Sequence, residues 1–178
     1  MFHVGDTVVK PSIGICKIKA IRRLEIENRT EDYYVVQSGE VDVLIPRKLA
    51  DQGALRLPMD ETRVEKLRKQ IEAPFRPLGF TEEGDLPPEY QLKPTEVKAM
   101  LKRRDPEELV ELIRVLFNKQ NDFSLDKKET DYLSEAMSMV VEEIAYLEKT
   151  TKGRVKTHLN KLLSAGRKEG RRLASEED

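Results

Sequence analysis

Hydrophobic and polar residues alternate with a period of two over the first fifty positions and recur near every 3.6 residues through much of the remaining chain, which predicts a β module succeeded by helices. Thr7-Val8-Val9 is a strand entered through the turn His3-Val4-Gly5-Asp6, and Pro11-Ser12-Ile13-Gly14 is a second turn. In Ile15 to Ile21, Cys16, Ile18 and Ala20 share one face while Lys17 and Lys19 point the other way, the pattern of a half-buried strand. After the loop Asn28-Arg29-Thr30 comes the β-branched and aromatic run Tyr33 to Val36; Ser38-Gly39 then turns into Val41 to Ile45, ended by Pro46. Four or five short antiparallel strands in so few residues predict a curled barrel of the SH3 or Tudor type, because such a sheet must close or cover its edges.

Asp60 is the expected cap of a helix carrying Val64, Leu67 and Ile71. Residues 73–93 hold Pro74, Pro77, Pro87, Pro88, Gly79 and Gly84, which forbid a continuous helix and predict an irregular connection. Val97, Met100 and Leu101 predict a short helix. Asp105 as N-cap, Pro106 at the first position and Glu108 at the third predict another, with the stripe Leu109, Leu112, Ile113, Leu116 and Phe117. Ser124 is the expected cap of the longest helix, whose stripe runs Leu133, Ala136, Met137, Val140, Ile144 and Leu147. Gly153 is an expected break before a last helix with Val155, Leu159, Leu162 and Leu163. The expected organisation is α+β: a β domain at 1–58, a helix and Pro/Gly-rich connection at 59–93, an all-α bundle at 94–166 and a polar tail at 167–178.

Composition sharpens this picture. With 178 residues and 38% hydrophobic content the chain supports modest cores, and 37% charged residues suit helices with solvated faces. A formal net charge of −1 gives no whole-molecule attraction to nucleic acid, so distribution carries that case. Thr151 to Arg172 holds eight basic residues against Glu169 alone, a local balance of +7, whereas Thr130 to Glu148 holds five acids and no Lys or Arg. Such polarity orients a body on a polyanion. The single cysteine excludes an internal disulfide framework. No apolar stretch approaches the roughly 20 residues of a membrane helix, and Met1 leads straight into a strand, so a soluble, cytoplasmic protein is expected.

Catalytic patterns are missing. Two histidines and one cysteine in different predicted domains assemble no metal site, no carboxylate pair sits in an apolar context, and neither GxGxxG nor GxxxxGK[ST] occurs. The expectation is a non-enzyme with no cofactor, metal or small-molecule substrate. The short sheet edges suit pairing with a partner protein, unless the module only packs on the helices. Lys93, Lys98, Lys102, Arg103 and Arg104 cluster around one short helix, and Lys127 and Lys128 open another, placements that suit phosphate contacts. Lys102 to Arg104 equally complement the negative end of the helix dipole. Tyr90, in PPEYQLKP, is either a lid on a core or an exposed wedge or stacking residue.

VGDTVVKPSIG resembles the opening of the CarD/CdnL family of bacterial transcription factors, whose N-terminal module is shared with transcription-repair coupling factor. VLIPRKLA resembles a later strand of that family, and DPEELVELIRVLFNKQNDFSLDKKETDYL resembles its helices. The resemblance implies a Tudor-like domain that binds the β subunit of RNA polymerase, leaving the protein nucleoid-associated through the polymerase. It also implies a helical domain that contacts promoter duplex DNA at the upstream edge of the bubble and stabilises the open complex. In the family an aromatic, usually Trp, wedges into the minor groove there; this chain has no Trp, and ungapped alignment from Asp105 puts Tyr90 at that position. Two polymerase-facing arginines of familiar members align with Leu24 and Leu44, and Arg22, Arg23 and Arg47 are near enough to substitute, beside Pro46 of the matching strand. The rival expectation is an adaptor whose Tudor-like module binds another protein and whose helices touch no DNA.

Overall fold

The computed structural model describes residues 1–75 and 91–177, and the chain divides into two units, Met1–Met59 and Asp60–Asp178. Its class is α+β: a curled four-stranded antiparallel sheet, then six helices among the described residues.

The sheet is a meander of β1 (Thr7–Lys10), β2 (Gly14–Ile26), β3 (Arg29–Ser38) and β4 (Val41–Pro46) in that order. β2 outruns its expected end at Ile21, since Glu27 and Asn28, at φ 51° and 60°, turn the chain in two residues between the paired Ile26 and Arg29. Two left-handed residues match the twist of the flanking strands, so a tight hairpin replaces the expected loop. Val8, Cys16, Ile18, Tyr34, Val36 and Ile45 form the core with Ala50 and Leu55. Tyr34 anchors it: its hydroxyl donates to the Phe2 carbonyl at 3.2 Å and accepts from the Phe2 N–H at 3.2 Å.

Strict alternation fails at one point. Ile18 pairs with Val36 but Ala20 pairs with Val35, so a bulge at Lys19 throws Ala20, and every second residue after it, onto the face opposite Cys16 and Ile18. Beyond β4, α1 (Arg47–Leu49) runs into a π-helical turn, Ala50–Ala54, which ends through Gly53 at φ 103°. Arg56 then exchanges backbone hydrogen bonds of 2.8 and 3.0 Å with Val9, which occupies part of the β1 edge.

In the helical unit, α2 (Glu61–Glu72), α3 (Pro94–Arg103), α4 (Pro106–Asp122), α5 (Lys127–Glu148) and α6 (Lys152–Glu177) pack chiefly as α4 on α5 and α2 on α6. Asp105 caps α4 as expected, accepting from the N–H groups of Glu107 and Glu108 at 3.1 Å. The cap of α5 is Asp126 rather than Ser124. Asp126 and Glu129 satisfy each other's backbone N–H reciprocally, whereas Ser124 has Lys127 three residues on, which offers no acceptor. α5 ends in Lys149, left-handed at φ 52°, so the break precedes Gly153, which sits inside the first turn of α6.

α6, not α5, is the longest helix, and it continues through the expected polar tail. The buried stripe Val155, Leu159 and Leu163 is extended by two buried glycines, Gly166 and Gly170. A Cβ on Gly166 would lie 2.6 Å from the Ala73 carbonyl oxygen, and one on Gly170 1.8 Å from that of Phe75. The backbone after α2 therefore lies directly on α6, and the Phe75 N–H donates to the Gly166 carbonyl at 3.1 Å. Arg114 of α4 closes this seam: its Nη1 donates to the carbonyls of Gln70, Ile71 and Ala73 at 2.7 to 2.9 Å, and its guanidinium stacks 4.1 Å from the Phe75 ring. One side chain thus caps the C-terminus of α2 and fixes where the connection starts.

Candidate functional site

The β register sorts the six sheet-domain residues named from sequence into two groups. Arg22 lies opposite Tyr33 and Tyr33 opposite Pro46, while Val35 lies opposite Leu44 and Leu24 opposite Glu31. Arg22, Leu24, Leu44 and Pro46 therefore share the sheet face that the Lys19 bulge turned away from the core. Arg23 faces Asp32 on the other side. Arg47, at the start of α1, is held there too, with its guanidinium 5.9 Å from the Tyr34 ring and 3.8 Å from the Asp32 carboxylate.

Leu44 is the most exposed apolar residue of the first group. Leu44 is 45% exposed beside Val35 and Tyr33, which are 3% and 7% exposed. Burial, and then the hydrogen bond of 3.0 Å that its hydroxyl donates to Glu31, push the Tyr33 phenol above its ordinary pKa. The phenol thus stays protonated and keeps that donor. Leu44 belongs to β4, one of the two sheet edges, and within this domain no backbone hydrogen bond occupies the outer side of β4 among the described residues. An open edge with exposed Val41 and Leu44 can accept a partner strand through backbone pairing, with the adjoining face supplying side-chain contacts.

The cations of the helical unit fare unequally. Lys93 precedes α3 and sits 3.4 Å from Glu96. Lys98 and Lys102, one turn apart on α3, are exposed and form no ion pair among the described residues. Arg103 is clamped by Glu108 through two hydrogen bonds of 2.9 Å, which raise its pKa further. Arg104 is 7% exposed, left-handed at φ 54°, and ion-paired with Glu142 of α5. It ends α3 and ties it to α5, which withdraws its charge from the surface. Lys127 and Lys128 are exposed in the first turn of α5, again with no ion pair among the described residues. Tyr90 lies outside the described residues.

Other charges are internal fasteners. Arg63 of α2 bridges to Asp105 at 3.2 Å and to both oxygens of Glu107, and that hydrogen bonding holds the Glu107 carboxyl below its ordinary pKa. Cys16 is buried with its Sγ 3.3 Å from the Gly14 carbonyl. Among the described residues no cluster of His, Cys, Asp and Glu could hold a metal ion, and no helix is long and apolar enough to cross a membrane.

Among the described residues the arrangement offers an open strand edge and exposed cations as binding surfaces. Residues 2–71 match the family described as the CarD-like/TRCF RID domain. The chain carries a CarD-like RNA polymerase-interacting domain. The match places residues 2–71 with interaction domains of regulatory or adaptor proteins. The match runs past Met59 and through nearly all of α2, so the family pattern includes a helix that the chain contacts group with the helical unit. Among the features that sequence reasoning missed are the Lys19 bulge, the strand-like closure by Arg56 and the Arg114 cap. Only the bulge left a signal, a run of charged and apolar residues after Ala20 that fits neither face of a regular strand.

Proposed function

We propose that this protein is a transcription regulator. Its CarD-like domain binds the β subunit of RNA polymerase, and its helical domain holds promoter duplex DNA at the upstream edge of the bubble, stabilising the open complex. The observation that carries the reading is the CarD-like domain itself, with its open β4 edge beside the face bearing Arg22, Leu24, Leu44 and Pro46. Tethering to polymerase raises the effective concentration of the helical domain at DNA, so Lys98, Lys102, Lys127 and Lys128 suffice as weak phosphate contacts. Arg104 has no part in that contact and serves the fold.

The mechanism is energetic. A protein that binds the open complex better than the closed one shifts the balance by that difference alone, and about 1.4 kcal/mol in the collapse barrier is a tenfold longer lifetime. Tyr90 takes the role of the wedge, inserting between base steps at the bubble edge. The test is open-complex lifetime after competitor challenge. Tyr90→Ala shortens it several-fold toward the value without the protein while polymerase binding is unchanged; an unaltered lifetime removes Tyr90 from the mechanism.

The engagement of Lys93, Arg103 and Arg104 by carboxylates gives the adaptor reading, in which the helices touch no DNA, its one specific support. A steep fall of DNA affinity with salt excludes it, and absence of any DNA binding establishes it.

A further inference from the structure

α6 carries an unusual concentration of unmatched charge. Lys152 to Lys168 holds six basic residues and no Asp or Glu. Val155, Leu159, Leu163, Gly166 and Gly170 are turned into the domain, and at 3.6 residues per turn the opposite side presents Arg154, Lys161 and Lys168, spaced seven apart and all exposed. With a rise of about 1.5 Å per residue they form one line roughly 21 Å long.

Several other cations of this unit are matched, Arg63 with Asp105 and Glu107, Arg68 with Glu148 and Lys119 with Glu129, while Lys98, Lys102, Lys127 and Lys128 have no ion pair among the described residues. On α6, Arg172 is held by Glu169 and Glu176, and Lys152 reaches Glu142 at 3.9 Å. Arg154, Lys161 and Lys168 have no ion pair among the described residues. Two more features point outward. The first turn of α6 contains Lys152 and Arg154 with no acid, a sign that opposes the helix dipole. At the far end of the row, Arg167 and Arg171 share the single carboxylate of Asp122. They leave net positive charge beside a hollow of about 250 Å³ lined by Phe117, Asn121, Ser164, Arg167, Lys168 and Arg171.

We infer that this face of α6, centred on Arg154, Lys161 and Lys168, is a second contact surface for the phosphate backbone of duplex DNA, separate from the cations of α3 and blind to sequence. The inference rests on the reading of the helical domain as DNA-binding. A straight, acid-free line of cations complements a duplex, which presents one negative charge per about 1.7 Å of axis. The residues between them, Thr157, Asn160, Ser164 and Ala165, include none of the bulky apolar side chains that a membrane-surface helix places beside its cations. α6 also has no Phe, Tyr or Trp on which the bases of a single strand would stack.

The test is fluorescence anisotropy of the full-length protein with a short duplex of arbitrary sequence, from about 50 to 200 mM salt, the range over which phosphate contacts weaken steeply. Each lost contact lowers the slope of log affinity against log salt by about 0.9, so R154Q/K161Q/K168Q lowers it by nearly 3. Its melting temperature stays level or rises, because the substituted side chains are exposed and none of them joins an ion pair among the described residues. A separate variant, K98Q/K102Q, reports on the α3 surface. An unchanged slope in the triple variant, with K98Q/K102Q weakened, overturns the inference and leaves the proposed function standing. No DNA binding by the wild type overturns both. Wild-type binding to vesicles of anionic lipid, or to single strands, that exceeds duplex binding and vanishes in the triple variant overturns the assignment to duplex DNA.

Discussion

The β4 edge of the sheet domain offers backbone and apolar side chains, whereas the candidate surfaces of the helical domain offer charge. On β4 the accessible features are an open strand edge, Val41 and Leu44; on α3 and α6 they are Lys98, Lys102, Arg154, Lys161 and Lys168. The difference separates two kinds of recognition. Strand pairing with desolvated side chains is short-ranged and specific and changes little with salt, while exposed cations act at longer range, read no sequence and fade as counterions accumulate. A protein that must hold one partner firmly and test a second loosely is suited by that division.

The largest expected effect breaks the comparison by removing one side of it. Gly170→Ala drives a methyl group into the Phe75 carbonyl, which is backbone and cannot swing aside. The helical unit loses about 3 kcal/mol, at the upper end of overpacking costs, by displacing the segment after α2 from α6. Hydrogen exchange checks it: amides of α2 and α6 lose protection while those of β2 and β3 keep theirs. Equal loss in both regions would show that they do not unfold independently.

A smaller effect sharpens the sheet side. Arg22→Glu places an acid on the face shared with Leu24, Leu44 and Pro46 and lowers polymerase affinity about tenfold, or roughly 1.4 kcal/mol. Arg23→Glu, on the opposite face beside Asp32, costs clearly less. A pull-down titration with both variants decides; equal losses would mean that the interface wraps around the strand rather than covering one face.

Much of this was legible in the chain. The four strands, the Asp60 and Asp105 caps and the buried stripes of α2 and α4 come from local periodicity and capping chemistry, which need no knowledge of distant residues. What the chain concealed depends on contacts between residues far apart. Gly166 ends the expected bundle and Gly170 lies in the expected polar tail, and neither shows its role until the backbone of Glu72 to Phe75 is laid against them. Arg104 and Arg103 look like unpaired cations in the chain, and only the fold brings Glu142 and Glu108 against them. The Ala20 inversion needed the register of β3. Side-chain type identified the candidates for an interface, and tertiary pairing determined which of their charges remained exposed.

The smallest effect concerns the fasteners of the helical side. Glu107 in the folded protein titrates below its reference value of 4.5 because Arg63 hydrogen-bonds its charged form. The stability it contributes is complete above about pH 4.5 and is lost as pH falls through the depressed value. Glu107→Gln therefore reduces stability at neutral pH by several tenths of a kcal/mol to about 1 kcal/mol, and the difference from wild type shrinks in acid. Thermal melts across pH 3 to 7 track it; a difference that grows toward acid would contradict the assigned direction.

The central claim is that the sheet domain docks on the polymerase β subunit through the face and edge that carry Arg22 and Leu44. Calorimetric titration of the full-length protein into an isolated lobe of that subunit tests it directly. The account predicts micromolar binding, in the range of transient regulatory contacts, that is lost when Leu44→Glu is introduced. No heat of binding from folded wild-type protein, or full affinity in the Leu44→Glu variant, would contradict it.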